Sequence, residues 1–236
     1  MPILFFLFTA HDFASDLLAR HLLVFKRVIL LVAHLSLLGF FFPEMRKDFG
    51  EVALGVLLFL LFLSPVSRML HMKLLLQLVG LRREIGIFMA YLVTVHSLGY
   101  LLDPDWFALL ITPYWPGNLL AIDTRYLFGF GAYFLTLPLL LTSNSLSLQL
   151  LGSKNWKRLH ALVYPLLLLA LFHKFLRPGA ARIEDIVFPI FVFLLYIMTK
   201  ALARKKFIDP LTQSIAWVAT QYREYQLQTK ERKPLS

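Results

Sequence analysis

The stretch WKRLHALVYPLLLLALFHKFL, residues 156–176, decides the fold of this chain. It is almost uninterruptedly apolar, it is flanked by basic residues, and it has the length of about 20 residues that a membrane-spanning helix requires. Two histidines, His160 and His173, lie near its opposite ends. A charged or strongly polar side chain inside a bilayer costs about 2 to 3 kcal/mol on insertion scales, so each of these histidines predicts a function.

The spacing of these histidines suits two positions at different depths in a membrane. Thirteen helical residues at about 1.5 Å each separate them by roughly 20 Å along the axis. Neutral imidazole is the commonest side-chain metal ligand, and histidines on facing helices hold haem iron in helix bundles. A partner helix should therefore carry another buried histidine. His96, in the segment GIFMAYLVTVHSLGY, is the candidate.

Composition places the chain in a membrane. Of its 236 residues, 58% are hydrophobic and 16% are charged, and the mean hydropathy is +0.69, which a soluble domain of this size could not bury. The net charge of +10 is distributed in a way that sets membrane orientation, and it does not indicate nucleic-acid binding. The absence of cysteine excludes disulfides, iron–sulfur clusters and covalently attached c-type haem. Any haem here would be haem b, held non-covalently.

Hydropathy along the chain predicts an all-α integral membrane protein, a six-helix transmembrane bundle that binds b-type haem. The expected spans are residues 28–42, 52–69, 85–102, 126–148, 156–176 and 186–202. Pro65 predicts a kink or a break near the end of the second span. Pro165 has the same potential in the fifth.

Around this core the sequence predicts three regions. They are an N-terminal extension at residues 1–25, a transmembrane haem domain at 26–206 and a cytoplasmic tail at 207–236. The apolar start of the extension has neither a basic beginning nor a small-residue cleavage site. No signal peptide is therefore predicted.

The basic residues predict the orientation of the helices. Lysines and arginines concentrate after the second, fourth and sixth spans, whereas the long loop after the third span carries mainly aspartates. Both termini are then cytoplasmic. His96 and His173 lie at a similar depth in this arrangement, so they could bind one haem iron from its two sides.

His160 has no histidine partner at its own depth. If the third and fifth spans match in depth, Arg82 and Arg83 lie level with it. Arginine is a poor iron ligand because it stays protonated, but it is a good partner for haem propionates. A second haem at His160 is therefore possible. On an ideal helix His160 and His173 would point roughly 140° apart, and a kink at Pro165 would change that angle.

The remaining histidines have a simpler explanation. A histidine in a membrane helix is often satisfied by a serine or a backbone carbonyl. For His34, in the first span, this interpretation and a functional one stay open. For His11, His21 and His71, in flanks or loops, the structural interpretation is favoured.

Three segments carry a resemblance to a known family: LLFLLFLSPVSRML, LVGLRREIGIFMAYLVTVHSLGY and TSNSLSLQLLGSKNWKRLHALVYPLLLLALFHKF. Across residues 26–206 the chain resembles the ferric-reductase-like transmembrane family, and within it the MsrQ (YedZ) haem-binding subunits of bacterial methionine sulfoxide reductase systems. The Arg82–Arg83 pair, the run VHSLGY and the pattern W-x-x-L-H-x-x-V-Y make this resemblance specific. The haem histidines of the family correspond to His96, His160 and His173.

The resemblance implies an inner-membrane b-type cytochrome, an electron-transfer subunit without a catalytic site of its own. Such a subunit would take electrons from quinol or from a cytoplasmic flavin reductase. It would pass them to a periplasmic, molybdopterin-containing methionine sulfoxide reductase subunit that repairs oxidised proteins. The resemblance also implies FMN as a cofactor, at a site that the sequence does not locate.

Two alternatives stay open. No Gly-rich dinucleotide fingerprint follows a strand in this sequence, so the electrons are expected to come from a separate donor. The first alternative is a ferric-reductase-like cytochrome that serves another acceptor, since its sequence would show the same features. A haem-free, proton-coupled transporter could use the same histidines and arginines. A transporter would more often show inverted repeats and intramembrane carboxylates, whereas here the carboxylates are predicted to lie in loops and flanks.

Overall fold

The computed structural model describes residues 2–105, 124–176 and 183–203, and in these ranges the backbone forms helices and turns without strands. Nine α-helices have defined bounds there: α1 (Pro2–Arg20), α2 (Leu22–Ser36), α3 (Arg46–Leu70), α4 (Lys73–Val79), α5 (Arg82–Leu101), α6 (Thr124–Leu141), α7 (Ser145–His160), α8 (Val163–Phe175) and α9 (Ile183–Leu202). Two short 3-10 helices, Leu37–Phe41 and Pro43–Met45, connect α2 to α3. The predicted tail at 207–236 lies outside the described residues.

Apolar length identifies the membrane-crossing elements. Four helical stretches are long and apolar enough to cross a bilayer: Leu22–Phe41, Pro43–Leu70, Arg82–Leu101 and Ser145–Phe175. The last of these is not one continuous helix, because Gly152 has non-helical backbone angles (φ 69°, ψ 157°) and a turn occupies residues 161–162. Two shorter apolar helices are Tyr126–Leu141 and Ile186–Leu202. The described part of the chain is therefore an all-helical, multi-pass membrane protein. The count of six spans stays a prediction.

The chain divides into two compact units, and the first includes α1 and α4, which pack against each other. Ser15 is fully buried and donates a hydrogen bond to Gln77 Oε1 at 3.0 Å. Lys73 Nζ donates to Asp16 Oδ1 at 2.9 Å. This hydrogen bond and the charge of Lys73 hold the pKa of Asp16 below its ordinary value. Polar contacts therefore fix α1 on α4.

The second unit comprises Leu23–Leu61 and Leu81–Tyr196, and it contains His96, His160 and His173. Within it α6 packs along α8 and also against α5. Gly131 of α6 lies so close to α8 that a Cβ there would meet Leu169 Cδ1 at 3.2 Å. Small residues allow membrane helices to approach in this way.

The fifth predicted span is interrupted in the structure. Helix α7 ends at His160, a turn occupies residues 161–162, and α8 begins at Val163. Pro165 is the third residue of α8, where its missing N–H costs no intrahelical bond, and the Ala161 carbonyl accepts from the Tyr164 N–H at 3.1 Å instead. The prediction of one continuous helix was therefore wrong, and His160 and His173 belong to different helices.

Two other predicted boundaries also differ. Helix α3 continues through Pro65 to Leu70, so of the predicted kink or break the break does not occur, and the kink stays a prediction. The fourth predicted span, 126–148, is divided because α6 ends at Leu141 and Asn144 caps a new helix, its Oδ1 accepting from the Ser147 N–H at 2.7 Å.

Candidate functional site

Helices α5 and α8 bring two of the predicted histidines together. The ring centroids of His96 and His173 lie 6.0 Å apart, and the rings are inclined at 71°. Both side chains are partly buried, and both line the same cavity. We call this pair, with the cavity around it, the paired-histidine site.

A backbone carbonyl fixes one of the two imidazoles. His96 Nδ1 lies 2.8 Å from the carbonyl oxygen of Arg46, the first residue of α3. Since a carbonyl can only accept, Nδ1 carries the proton and donates, which leaves Nε2 with its lone pair available. Metal-binding histidines are oriented in this way, by donating their second ring N–H to a carbonyl or carboxylate.

Two glycines make room for the two rings. A Cβ on Gly50 of α3 would lie 2.7 Å from His96 Nδ1, and a Cβ on Gly129 of α6 would lie 2.6 Å from His173 Nδ1. Side-chain carbons do not come so close, so each imidazole occupies space that only glycine leaves open. Because Gly50 follows Arg46 by one helical turn, its missing Cβ also gives His96 access to the Arg46 carbonyl.

Sequence reasoning missed this arrangement. Neither Gly50 nor Gly129 was predicted to contribute to the site. The sequence did carry a signal. Gly50 and Gly129 each lie in the first two turns of a helix, and each precedes its histidine by a similar number of residues.

The cavity at this site has a volume of about 360 Å³ and is lined by residues of α3, α5, α6 and α8. Its deeper wall is mainly apolar, with residues such as Leu57, Met89 and Leu166. The size falls within the usual range of small-molecule sites, about 300 to 1,000 Å³. An apolar wall of this kind excludes water and lowers the local dielectric constant.

The paired-histidine site fits a haem by the chemistry of its donors. The two imidazoles, with ring centroids 6.0 Å apart, are close enough that one metal ion could be held between them. No cluster of three or more histidine or carboxylate ligands occurs among the residues that the structure describes. Two protein ligands leave the remaining positions on the metal to a macrocycle such as haem.

The third predicted histidine, His160, has different surroundings. Its Nε2 lies 3.2 Å from Thr142 Oγ1, and its ring stacks on Trp156 with centroids 3.8 Å apart. Trp156 Nε1 donates to the Thr142 carbonyl at 3.0 Å. Among the described residues, no contact between His160 and another histidine is recorded. We call His160, Trp156 and Thr142 the single-histidine site.

The predicted arginines lie at the beginning of α5, where both are exposed. Arg83 Nε donates to the Ser143 carbonyl at 3.0 Å. Ser143 follows Thr142 directly, so Arg83 and His160 contact the same turn between α6 and α7. Arg82 is placed at the first position of α5, beside Arg83.

One buried carboxylate was also missed. Glu84 of α5 lies in the flank just before the predicted span 85–102, but it is only 5% exposed, and this burial was not predicted. Its Oε1 lies 3.9 Å from Lys26 Nζ, and its Oε2 has no hydrogen-bond partner. Its position in the first helical turn could have indicated a favourable interaction with the helix dipole, but not burial.

His34 has the structural role that the sequence left open. Its Nδ1 lies 2.6 Å from the Leu30 carbonyl of its own helix, and its ring meets Tyr91 edge-on at 5.4 Å. The carbonyl satisfies the polar nitrogen without a cofactor.

These features define a class: a multi-pass helical membrane protein with two facing histidines that could bind a cofactor axially. The family described as the ferric reductase like transmembrane component matches residues 49–171, more than half of the chain. The chain belongs to this ferric-reductase-like transmembrane family, within its MsrQ (YedZ) group.

Several curated relatives are similar to the chain. The protein-methionine-sulfoxide reductase heme-binding subunit MsrQ of Caulobacter vibrioides is 31% identical over 64% of this chain and 70% of the relative. The MsrQ of Xanthomonas axonopodis pv. citri is 32% identical over 55% and 56%, respectively. The magnetosome protein MamZ of Magnetospirillum gryphiswaldense is 30% identical over 64% of this chain but 22% of MamZ.

These alignments have a limited extent. The chain spans about half the length of the Xanthomonas relative and less than a quarter of MamZ. No solved structure matches the chain.

Proposed function

We propose that the chain is a membrane-embedded b-type cytochrome subunit whose haem is bound axially by His96 and His173. The observation that carries this proposal is the pair of imidazoles 6.0 Å apart, one of them oriented by the Arg46 carbonyl. When bound, haem supplies reversible one-electron redox chemistry, and the protein supplies ligands, orientation and a dry environment.

The residues around the site have distinct tasks in this proposal. His96 and His173 provide the axial nitrogens. The Arg46 carbonyl holds the proton of His96 on Nδ1, so that Nε2 is the ligand atom. Gly50 and Gly129 let the two rings reach their positions. The apolar wall of the cavity keeps water away from the site.

The proposal includes a second haem at the single-histidine site. His160 would be its protein ligand, and Arg82 and Arg83 would pair with its propionates. The shared turn that Arg83 and His160 contact supports this grouping. A second axial ligand is not recorded beside His160 in the described residues.

The relatives suggest the pathway in which such a cytochrome works. Several are named heme-binding subunits of protein-methionine-sulfoxide reductase. We propose that this chain lies in a bacterial inner membrane with both termini cytoplasmic and passes electrons to a periplasmic, molybdopterin-containing reductase subunit. There, one sulfoxide would take up two electrons and two protons and yield a thioether and water. Quinol, or a cytoplasmic flavin reductase, would be the donor.

FMN also belongs to this proposal through the family resemblance. The described residues carry no feature that assigns a place to it.

A haem-free transporter is the second candidate, and one observation favours it. Glu84 is a buried carboxylate with one unpartnered oxygen, beside Lys26. Carboxylates buried in membrane proteins often handle protons in transporters. Haem binding discriminates between the two candidates.

The test is a reduced-minus-oxidised optical spectrum of the purified protein, with haem quantified by pyridine haemochrome. We expect b-type bands in the wild type, and we expect His96→Ala and His173→Ala to abolish or shift them. Residual haem that depends on His160 would establish the second site. A wild type without haem after haem-replete expression would reject the cytochrome and leave the transporter.

A further inference from the structure

The cavity of the paired-histidine site carries its charged side chains at one end. The charged lining residues are Lys47, Glu51 and Lys174. Lys47 and Glu51 lie in the first two turns of α3, and Lys174 lies in the last turn of α8, next to His173. Among the described lining residues, two lysines and one glutamate give this rim a net positive charge.

One ion pair bridges the rim. Lys174 Nζ donates to Glu51 Oε1 at 2.5 Å, which joins α8 to α3. The two side chains are 40% and 46% exposed, so solvent or lipid headgroups can reach them. Exposed ion pairs add little stability, and their partners are readily exchanged.

The other lysine has no such partner. Lys47 makes no hydrogen bond or salt bridge with the described residues, although its charge interacts with that of Glu51 in the same helix. Arg46, its neighbour, differs because its Nη1 donates to Asp103 Oδ2 at 2.7 Å and its side chain is only 11% exposed. Arg46 therefore already has a carboxylate partner at Nη1, although its buried Nε has no hydrogen-bond partner. Lys174 would have to leave Glu51 to bind an anionic ligand, whereas Lys47 has no ion pair to break among the described residues.

The cavity, with its apolar wall and charged rim, therefore suits a largely apolar ligand that has carboxylates at one edge. We propose that Lys47 and Lys174 bind the two propionates of the haem, and that Lys174 exchanges Glu51 for a propionate when the cofactor enters. This inference rests on the proposed function. Once the ring is anchored by its axial ligands, its carboxylates face Lys174 at a high effective concentration, which favours the exchange.

The experiment compares haem b with its dimethyl ester, which keeps the iron and the ring but has no free carboxylate. The apo-protein in detergent is titrated with each ligand by absorbance, and release to apomyoglobin is timed. The variants are Lys47→Met, Lys174→Met and Glu51→Gln. Lys154→Met is the matched control, because Lys154 is an exposed lysine of α7 that does not line the cavity.

We expect each lysine variant of the rim to weaken haem b about 5- to 10-fold and to leave the ester nearly unchanged. Glu51→Gln removes the competing carboxylate, so it should slow the release of haem b and not that of the ester. A gain of affinity cannot result from misfolding, which makes this variant the internal check. Lys154→Met should match the wild type with both ligands.

Other outcomes overturn the inference. It fails if the wild type binds both ligands equally, or if the lysine variants weaken both alike or neither. In those cases haem still binds and the proposed function survives. If the wild type binds neither ligand, the proposed function fails and this inference fails with it.

Discussion

The two histidine sites differ in what surrounds the imidazole. At the paired-histidine site, each ring lies against a glycine of a second helix, and a carbonyl orients His96. At the single-histidine site, a hydroxyl occupies His160 Nε2 and an indole covers its ring. The difference teaches that the backbone and side chains packed against a histidine decide whether its ring nitrogens are available to a ligand.

The helix ends explain why the sites differ. Gly50 and Gly129 lie near the beginnings of α3 and α6, where a ring can approach the backbone of the first turns. His160 instead ends α7 beside the turn that follows α6, and its neighbours there are side chains. Four helices line the paired-histidine cavity, whereas the contacts of His160 come from one helix and one turn.

The largest effect should come from replacing one of the two glycines that lie against the histidine rings, Gly50 or Gly129. Gly50→Ala places a Cβ 2.7 Å from His96 Nδ1 and should displace the ring from the Arg46 carbonyl. Loss of such orienting contacts typically costs 10- to 100-fold in metal affinity, so we expect haem affinity to fall about tenfold or more. Gly129→Ala should act in the same way on His173. The measurement is haem content by pyridine haemochrome.

Gly55→Ala is the control for this prediction. Gly55 lies in α3, and a Cβ there would meet nothing within 4 Å. Alanine is also the better helix former, so this variant should keep its haem and its stability. Equal haem content in Gly50→Ala and Gly55→Ala would contradict the proposed role of Gly50.

The next effect concerns the buried carboxylate at the other end of α5. Lys26→Met leaves Glu84 without its cation, which should lower the free energy of unfolding by about 1 to 2 kcal/mol. The loss of stability is smaller than for a fully buried ion pair because Lys26 is 33% exposed and its Nζ lies 3.9 Å from Glu84 Oε1. Thermal unfolding in detergent measures it, and Lys154→Met provides the charge control.

The double variant Lys26→Met, Glu84→Gln shows why Lys26→Met loses stability. Removing the lone carboxylate should restore most of the stability that Lys26→Met loses. If the double variant is as unstable as the single one, packing of the lysine chain, rather than the buried charge, stabilises this end.

A smaller effect is expected at the single-histidine site. Thr142→Val removes the oxygen that contacts His160 Nε2 and should lower stability by about 1 kcal/mol. Haem at the paired-histidine site should not change. Thr142→Ser keeps the hydroxyl and should behave like the wild type. A loss of the main haem signal in Thr142→Val would show that the two sites are coupled and would break the comparison.

The smallest effect is expected for Arg83→Gln. Arg83 is exposed and its recorded contact is one hydrogen bond to the Ser143 carbonyl, so stability should change by about 0.5 kcal/mol or less. If a second haem is present at His160, the same variant should reduce that haem selectively. Loss of haem at the paired-histidine site would contradict the assignment of Arg83 to the other end.

The sequence by itself determined the membrane class, most of the apolar helices and the candidate histidines. Hydropathy and helix length are local properties, so they can be read along the chain. The spacing argument also paired His96 with His173, and the structure places these two rings together.

Only the tertiary structure decided how each site is built. The contacts of Gly50 with His96, of Gly129 with His173 and of Glu51 with Lys174 join residues far apart in the chain, and hydropathy carries no information about such packing. The break between His160 and Val163 depends on a proline whose outcome the sequence leaves open, because α3 passes through Pro65 uninterrupted. Burial of Glu84 likewise follows from neighbouring helices rather than from its own segment.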